Sequence, residues 1–422
     1  MNIAIIGSGG REHAICQKIH ESKKIKKIYC IPGNGGTQKI AENIKIDLKD
    51  FEKISLFLIE NKIDLTIVGP EEPLVYGIVD FLNKRKLKIF GPDKFCSQLE
   101  GSKIFTKKIC EEQGIPTANF KILNNIHSSL NYLENKNYPL VVKADGLAAG
   151  KGVYICKSYS DAKKAIEEIF KGKFGIAKEV LVEDFLDGEE MSFFILYDNN
   201  SYKIFNTAQD HKRVFEGDNG KNTGGMGAYS PSRLYNYELE KKILNKIIDP
   251  TLDYLKIKNA KYIGFLYAGL MIKNNEPYLI EYNVRMGDPE CQTILPLLNN
   301  DLLEVFENCT NGTLHNIKLD WKSEKSICIV VTSKGYPDSF DKNIPIKNLK
   351  NLSMVDNQYI YHAGTKLENE EYYSTGGRVL NFVSIDHNFE LARKKIIEQI
   401  EKLNWKNGHY RKDIAYRVIN NS

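Results

Sequence analysis

The sequence predicts a chain of mixed α/β and α+β class, with an open parallel sheet at the N-terminus, a larger core, and a small α+β unit at the C-terminus. Three observations carry this. Residues 1 to about 95 repeat a unit of short β-branched strand, loop and helix, with strands at 3–6, 27–31, 65–68 and 89–90. Continuous apolar strands alternating with helices mean a parallel sheet covered on both faces. A boundary follows Gly91-Pro92, at 95–101, and a last unit opens at Ser326, with strands at 360–365 and 377–383 and a helix over about 388–403. A length of 422 residues accommodates two to four domains.

Composition excludes several functions. Charged residues make up 27% and hydrophobic ones 42%, the usage of an ordinary soluble chain. The balance of 59 basic against 54 acidic residues leaves +5, too little for this length to imply nucleic acid. Runs such as Lys23-Lys24-Ile25-Lys26-Lys27 are most simply solvated helix ends. The eight cysteines (16, 30, 96, 110, 156, 291, 309 and 328) form no Cys-x-x-Cys pair and no cluster with His, so they read as reduced, mostly buried thiols. Met1 leads directly into Asn2-Ile3-Ala4-Ile5-Ile6, and no apolar run approaches the ~20 residues of a membrane span. A cytoplasmic protein without membrane or nucleic-acid partners is expected.

In chain order, the first strand opens into Gly7-Ser8-Gly9-Gly10-Arg11-Glu12-His13. Glycines let backbone N–H groups approach an anion, and a helix start adds its positive end, so a phosphate is the natural guest; a plain tight turn fits the same residues. A dinucleotide fingerprint fails here. Glu12 holds the third glycine's place, and the second strand ends in Pro32-Gly33-Asn34-Gly35-Gly36, with no ribose-binding acid. Gly69-Pro70-Glu71-Glu72 lies at another strand's carboxyl end, and the three loops together suit a phosphorylated sugar. Beyond the boundary, Glu100-Gly101-Ser102-Lys103 opens a helix running to Gln113. A strand then carries Lys143 into Ala144-Asp145-Gly146-Leu147-Ala148-Ala149-Gly150-Lys151-Gly152, a loop able to fold over phosphates but without the Walker pattern; a ligand-free hairpin is the alternative. The segment Glu183-Asp184-Phe185-Leu186 offers backbone and apolar surface to adenine, and Glu190 an acceptor to ribose, although an amphipathic strand reads the same way. Gln209-Asp210-His211-Lys212-Arg213 precedes a stretch, 217–228, too glycine-rich for regular structure; it reads as a mobile loop beside a charged site or a bare surface loop.

The most informative stretch is Glu281-Tyr282-Asn283-Val284-Arg285-Met286-Gly287-Asp288-Pro289-Glu290. As the continuation of a strand, it would project Glu281, Asn283 and Arg285 from one face. A carboxylate and a carbonyl oxygen suit a hard cation such as Mg2+, and a guanidinium beside them suits a phosphoryl group, which outlines a nucleoside-triphosphate site. Asp288 and Glu290 would sit on a turn at its mouth. The rival is the polar face of an edge strand.

These motifs, joined by His362-Ala363-Gly364-Thr365 and Asn222-Thr223-Gly224-Gly225-Met226-Gly227, occur in an order that resembles the phosphoribosylamine-glycine ligase family of ATP-grasp enzymes, over nearly the whole chain. The resemblance implies an N-terminal α/β domain for phosphoribosylamine (1–100), an ATP-grasp domain of two lobes (101–325, with a mobile lobe at about 120–190) and a C-terminal domain (326–422). It implies ATP phosphates at Lys103, Lys143, Ala148, Gly150, Lys151 and Gly152, adenosine at Glu183, Asp184, Phe185, Leu186 and Glu190, and Mg2+, with Mn2+ as a substitute, at Glu281 and Asn283. Substrate would meet Gly9, Gly10, Arg11, Glu12, Asn34, Glu71, Asp210, Lys212, Arg285 and Asp288, with Arg285, Lys143 and Asp210 closest to the chemistry. The implied reaction joins glycine to 5-phosphoribosylamine through glycyl phosphate in a monomer. Two departures stand out: Met286 replaces the usual Phe, and 265–271 lacks the acid that many ATP-grasp enzymes place on the preceding strand. Another carboxylate-activating ATP-grasp enzyme and a non-catalytic nucleotide sensor are the other readings.

Overall fold

The computed structural model describes residues 1–147, 152–353 and 355–420. Its N-terminal sheet has five strands in the order Glu42–Asn43, Lys27–Pro32, Asn2–Gly7, Leu65–Val68, Ile89–Phe90, and every pairing is parallel. Alternation along the first strand explains the two covered faces. Ile3 and Ile5 enter one core with Ile28, Cys30, Leu65 and Ile67, whereas Ala4 and Ile6 enter another with Ile31 and Val68. The short edge strand Glu42–Asn43 has no apolar run of its own and is visible only through its pairing.

The largest sheet runs Glu276–Asn283, Gly264–Lys273, Glu189–Tyr197, Tyr202–Asp210, Gly227–Ser230, Lys325–Ser333, Arg378–Asp386, Gln358–His362, with Gly408–His409 pairing Lys325–Ser333 as well. All of its pairings are antiparallel. The C-terminal strands therefore extend the core's own sheet through the pairing of Gly227–Ser230 with Lys325–Ser333. A separate antiparallel sheet, Phe120–Leu123, Val180–Asp184, Leu140–Ala144, Val153–Cys156, carries the helices Ile126–Leu133 and Tyr159–Phe170. Val142 and Val182 enter its core with Ala165, Ile166 and Ile169. Lys143 and Glu183, one residue further on, turn to the opposite face and meet there.

Three sequence expectations need correction. The helix expected from Glu100 starts at Lys103, because Ser102 is its cap: Ser102 Oγ accepts from Phe105 N, and Gln98–Gly101 forms a separate turn. The stretch 217–228 contains regular structure. Arg213–Phe215 pairs with Asn219–Asn222 around Gly217, whose φ of +66° suits glycine, and Gly227–Ser230 joins the main sheet. The strand leading to the 281–290 stretch ends at Asn283, so Arg285 lies beyond it. No helix among the described residues is long and apolar enough to cross a membrane.

Candidate active site

A cavity of 290 Å³ opens where the large sheet, the four-stranded sheet and the N-terminal loops converge. The strand Glu276–Asn283 brings Glu281 and Asn283 to it, two residues apart, while the hydroxyl of Tyr282 between them lies 2.6 Å from the buried Thr251 Oγ1. Gly269 lies opposite Glu281 in the pairing and Tyr267 opposite Asn283. These two positions, in the stretch 265–271 that lacks an acid, put a glycine and a tyrosine beside the pair, and the Tyr267 hydroxyl lies 3.0 Å from Ser192 Oγ. Among the described residues, neither the Glu281 carboxylate nor the Asn283 carboxamide is engaged by a side-chain hydrogen bond or ion pair. Two uncommitted oxygen donors side by side on a cavity wall are a donor set that fits a hard cation.

Arg285 reaches the same cavity from the turn after the strand. It is tightly braced: Nε donates to Glu71 Oε2 at 3.2 Å, Nη2 to Glu100 Oε1 at 2.6 Å and Nη1 to the Met286 carbonyl at 3.2 Å. Each terminal nitrogen keeps one further N–H. Arg285 lowers both glutamates, yet their net shifts are opposite. Burial raises Glu71, but Arg285 and Arg11 outweigh it and hold the carboxyl at about 2; at Glu100 burial wins, with Glu71 adding to the rise, and pushes it up to about 7. Val284 N also donates to Glu100 Oε2, at 2.8 Å.

Lysines line another part of the cavity. Lys103 Nζ donates to the Gly146 carbonyl at 3.0 Å, and burial lowers its pKa against the pull of Glu281. Lys107, one helical turn later, donates to Thr117 Oγ1 and lies 3.4 Å from Glu183 Oε1, which is also ion-paired with Lys143 Nζ at 2.9 Å. Glu183 therefore bridges two buried lysines. A further part holds Asp210, Lys212, Tyr267, Asp288, Glu290, Thr223 and Gly224, together with Arg378 from the C-terminal strands. Burial raises the Asp210 carboxyl well above the usual carboxylate range, Lys212 opposing and Glu290 reinforcing. Arg378 Nη1 donates to the carbonyls of Gly224 (2.8 Å) and Asp288 (2.6 Å) and lies 3.2 Å from Asp288 Oδ1.

Of the residues singled out from sequence, Arg11, Glu71, Lys103, Gly152, Glu183, Asp210, Lys212, Glu281, Asn283, Arg285 and Asp288 line this cavity. Lys143 stands behind Glu183, and Glu190 is ion-paired with Lys212. Asp184 is exposed and takes Asn119 Nδ2 at 2.9 Å; Phe185 is exposed beside it and Leu186 is half-buried. Ala148, Gly150 and Lys151 lie outside the described residues. The N-terminal loop departs most from expectation. Glu12 folds back so that its carboxylate accepts from Gly9 N at 2.5 Å and from Arg11 Nε at 2.8 Å. A Cβ at Gly7, Gly9 or Gly69 would stand within 2.7 Å of Glu12 atoms, and one at Gly10 would meet Asn381 and Gln292. These glycines make room for protein side chains, and the helix start is already occupied by a carboxylate. Asn34 is 6% exposed and fully engaged: Nδ2 donates to the carbonyls of Ser8 and His362, and Oδ1 accepts from Gly36 N and Thr37 N. Arg11 alone of this loop reaches the cavity, its Nη1 anchored on the Met286 carbonyl at 3.0 Å.

Sequence reasoning missed Lys107, Glu100, Tyr267 and Arg378 as cavity residues. The spacing of Lys107 from Lys103, one turn on the same helix face, was a usable sign. Nothing local marks Arg378.

An antiparallel sheet facing a smaller sheet across a cavity lined by lysines and carboxylates has the architecture of an ATP-grasp enzyme, built onto an N-terminal parallel-sheet unit. Three family descriptions match in succession: the N domain of phosphoribosylglycinamide synthetase over residues 1–100, its ATP-grasp (A) domain over 101–291 and its C domain over 326–417. The chain belongs to the phosphoribosylglycinamide synthetase family. It is 43% identical to a phosphoribosylamine-glycine ligase of Caldanaerobacter subterraneus, with 98% of this chain and 99% of that one covered. Identity to the ligase of Brucella melitensis is 41%, over 99% and 98%. The crystal structure of the Thermotoga maritima phosphoribosylamine-glycine ligase superposes with a TM-score of 0.84 at 30% identity, covering 98% of this chain and 100% of that one.

Proposed function

We infer that this chain is an ATP-dependent ligase that joins glycine to 5-phosphoribosylamine, giving glycinamide ribonucleotide, ADP and phosphate in purine biosynthesis. The observation that carries the site chemistry is the pair Glu281 and Asn283, two oxygen donors uncommitted among the described residues, on a cavity wall shared with Lys103, Lys107 and Arg285. Full-length relatives of 43% and 41% identity that are named for this reaction support the assignment.

A carboxylate is a poor electrophile, so glycine must be activated. Its carboxylate attacks the γ-phosphorus of ATP, ADP leaves, and the ribosylamine nitrogen attacks the resulting glycyl phosphate and expels phosphate. No enzyme nucleophile enters. A Mg2+ ion held by Glu281 and Asn283 would neutralise charge on the phosphates. Lys103 on the cavity wall supplies a point charge to them, Lys143 adds positive potential from behind Glu183, and the braced guanidinium of Arg285 presents its remaining N–H groups to the group in transfer. Glu71 and Glu100 fix that fork, so its orientation costs nothing at the moment of reaction. In the division of labour we infer, 1–100 serve phosphoribosylamine chiefly through Arg11, and 101–325 serve ATP and glycine. The working state is a cytoplasmic monomer.

ADP release measured with and without glycine and freshly prepared 5-phosphoribosylamine tests the reading; release that depends on bicarbonate or formate instead would reassign the substrate. Glu281→Gln should abolish glycine-dependent ADP release while the melting temperature stays within a few degrees, since it removes the only full charge of the donor pair. Near-normal turnover at ordinary Mg2+ would refute this role.

A further inference from the structure

Asp210 and Lys212 line one part of the cavity, Thr223 and Gly224 lie near them in the chain, and the hairpin Arg213–Phe215/Asn219–Asn222 joins the two pairs. This hairpin is held by the C-terminal tail. Arg411, 0% exposed, forks onto Asp413 with Nε–Oδ1 and Nη2–Oδ2 distances of 2.7 Å, and its Nη1 donates to Asp218 Oδ1 at 2.8 Å and to the Arg213 carbonyl at 3.0 Å. Asp413 Oδ2 accepts from Gly217 N at 2.8 Å, and Tyr416 donates its hydroxyl to Asp218 Oδ2 at 2.9 Å. The tail also reaches His211, the residue between the two cavity side chains. Ala415 N donates to His211 Nε2 at 3.0 Å, which leaves the ring proton on Nδ1, 3.8 Å from Asp218 Oδ1. The backbone of His211 is pinned in turn by Gly227 O and Met226 N.

We propose that the chain Arg411–Asp218–His211 is a positioning device, by which the C-terminal tail fixes the 210–212 segment and so sets Asp210 and Lys212, two cavity groups of opposite sign that suit the two ends of a zwitterionic amino acid, against glycine. A planar fork with partners on two loops locks their relative position; a point charge does not. Asp218 is the joint: one of its oxygens meets Arg411 and faces the histidine, and the other takes Tyr416 and Arg417 of the tail. None of these three residues lines the cavity, so they act through Asp210 and Lys212.

The proposal rests on the ligase reading above, and the test separates the two. Arg411→Lys and Asp218→Asn are made in the full-length protein, and the KM for ATP, the KM for glycine and the melting temperature are measured, with kinetics run well below each melting point. The expected result is a glycine KM raised about tenfold in both variants, the loss of one charge-assisted hydrogen bond, with the ATP KM within about twofold of wild type. A lowered melting temperature with an unchanged glycine KM would overturn the proposal, as would equal rises in both KM values. Should Asp218→Asn fail to fold, Arg411→Lys decides alone, because it keeps the charge and loses only the fork. Wild-type protein without glycine-dependent ADP release sinks the ligase reading instead.

Discussion

Two turns in this protein share the spacing Gly-x-x-Glu: Gly9 to Glu12 at the start of the helix Gly10–His20, and Gly287 to Glu290 at the start of Glu290–Ile294. In both, a Cβ on the glycine would run into the glutamate, at 2.7 Å from a carboxylate oxygen in the first and 2.3 Å in the second. Both glutamates are buried too, Glu12 2% and Glu290 3% exposed. Their surroundings differ. Glu12 is enclosed by Gly7, Gly69 and the Gly9 amide and serves to hold Arg11, whereas Glu290 lines the cavity beside Asp210, with Ser192 Oγ 3.2 Å from its Oε1. Glycine spacing shows that something approaches closely. In both turns that something is the protein's own glutamate, and tertiary neighbours decide whether it is sealed in or faces the cavity.

The comparison can be broken most sharply at Glu12. Glu12→Ala leaves the buried Arg11 guanidinium without its nearest partner and should cost about 3–5 kcal/mol of stability, read as a fall in the urea midpoint. A variant that melts like wild type but fails to turn over would place Glu12 on the substrate side after all. Glu290→Gln should do the reverse, lowering kcat/KM for glycine about 100-fold with the midpoint unchanged; lost stability with intact turnover would erase the distinction. The smallest effect concerns Glu100, raised by burial from its ordinary 4.5 to about 7 while Glu71 on the same guanidinium is held low. Between those two values the native protein keeps a proton that the unfolded chain has lost, so stability should fall as pH rises from about 4.5 to 7. Glu100→Gln should flatten part of that slope, leaving the share that comes from Asp210, and urea midpoints across this pH range measure it.

The parallel strands were legible because β-branched runs with helical spacers have few other solutions, and each lies within two residues of its expected place. Glu281 and Asn283 were legible from the two-residue period of a strand. Arg285 reaches the same cavity from beyond the strand end, so its position owes nothing to that period. Asn34 and Glu12 read two ways for one reason: residues that cradle an anion and residues that seal a turn are the same types, and the hydrogen bonds that engage both within the protein leave no mark in the sequence. Arg378 and the partners Ile327 and Tyr229 of the extended sheet are brought together by pairing across about a hundred residues, which leaves no local mark.

That pairing bears on how the protein survives damage. Because Gly227–Ser230 is zipped along Lys325–Ser333, a proteolytic nick in the connecting segment 315–324 would leave the C-terminal fragment docked, still delivering Arg378 and the tail that grips the hairpin. Deleting the fragment outright would instead bare Gly227–Ser230 as a raw edge, where a second molecule could add its own strand.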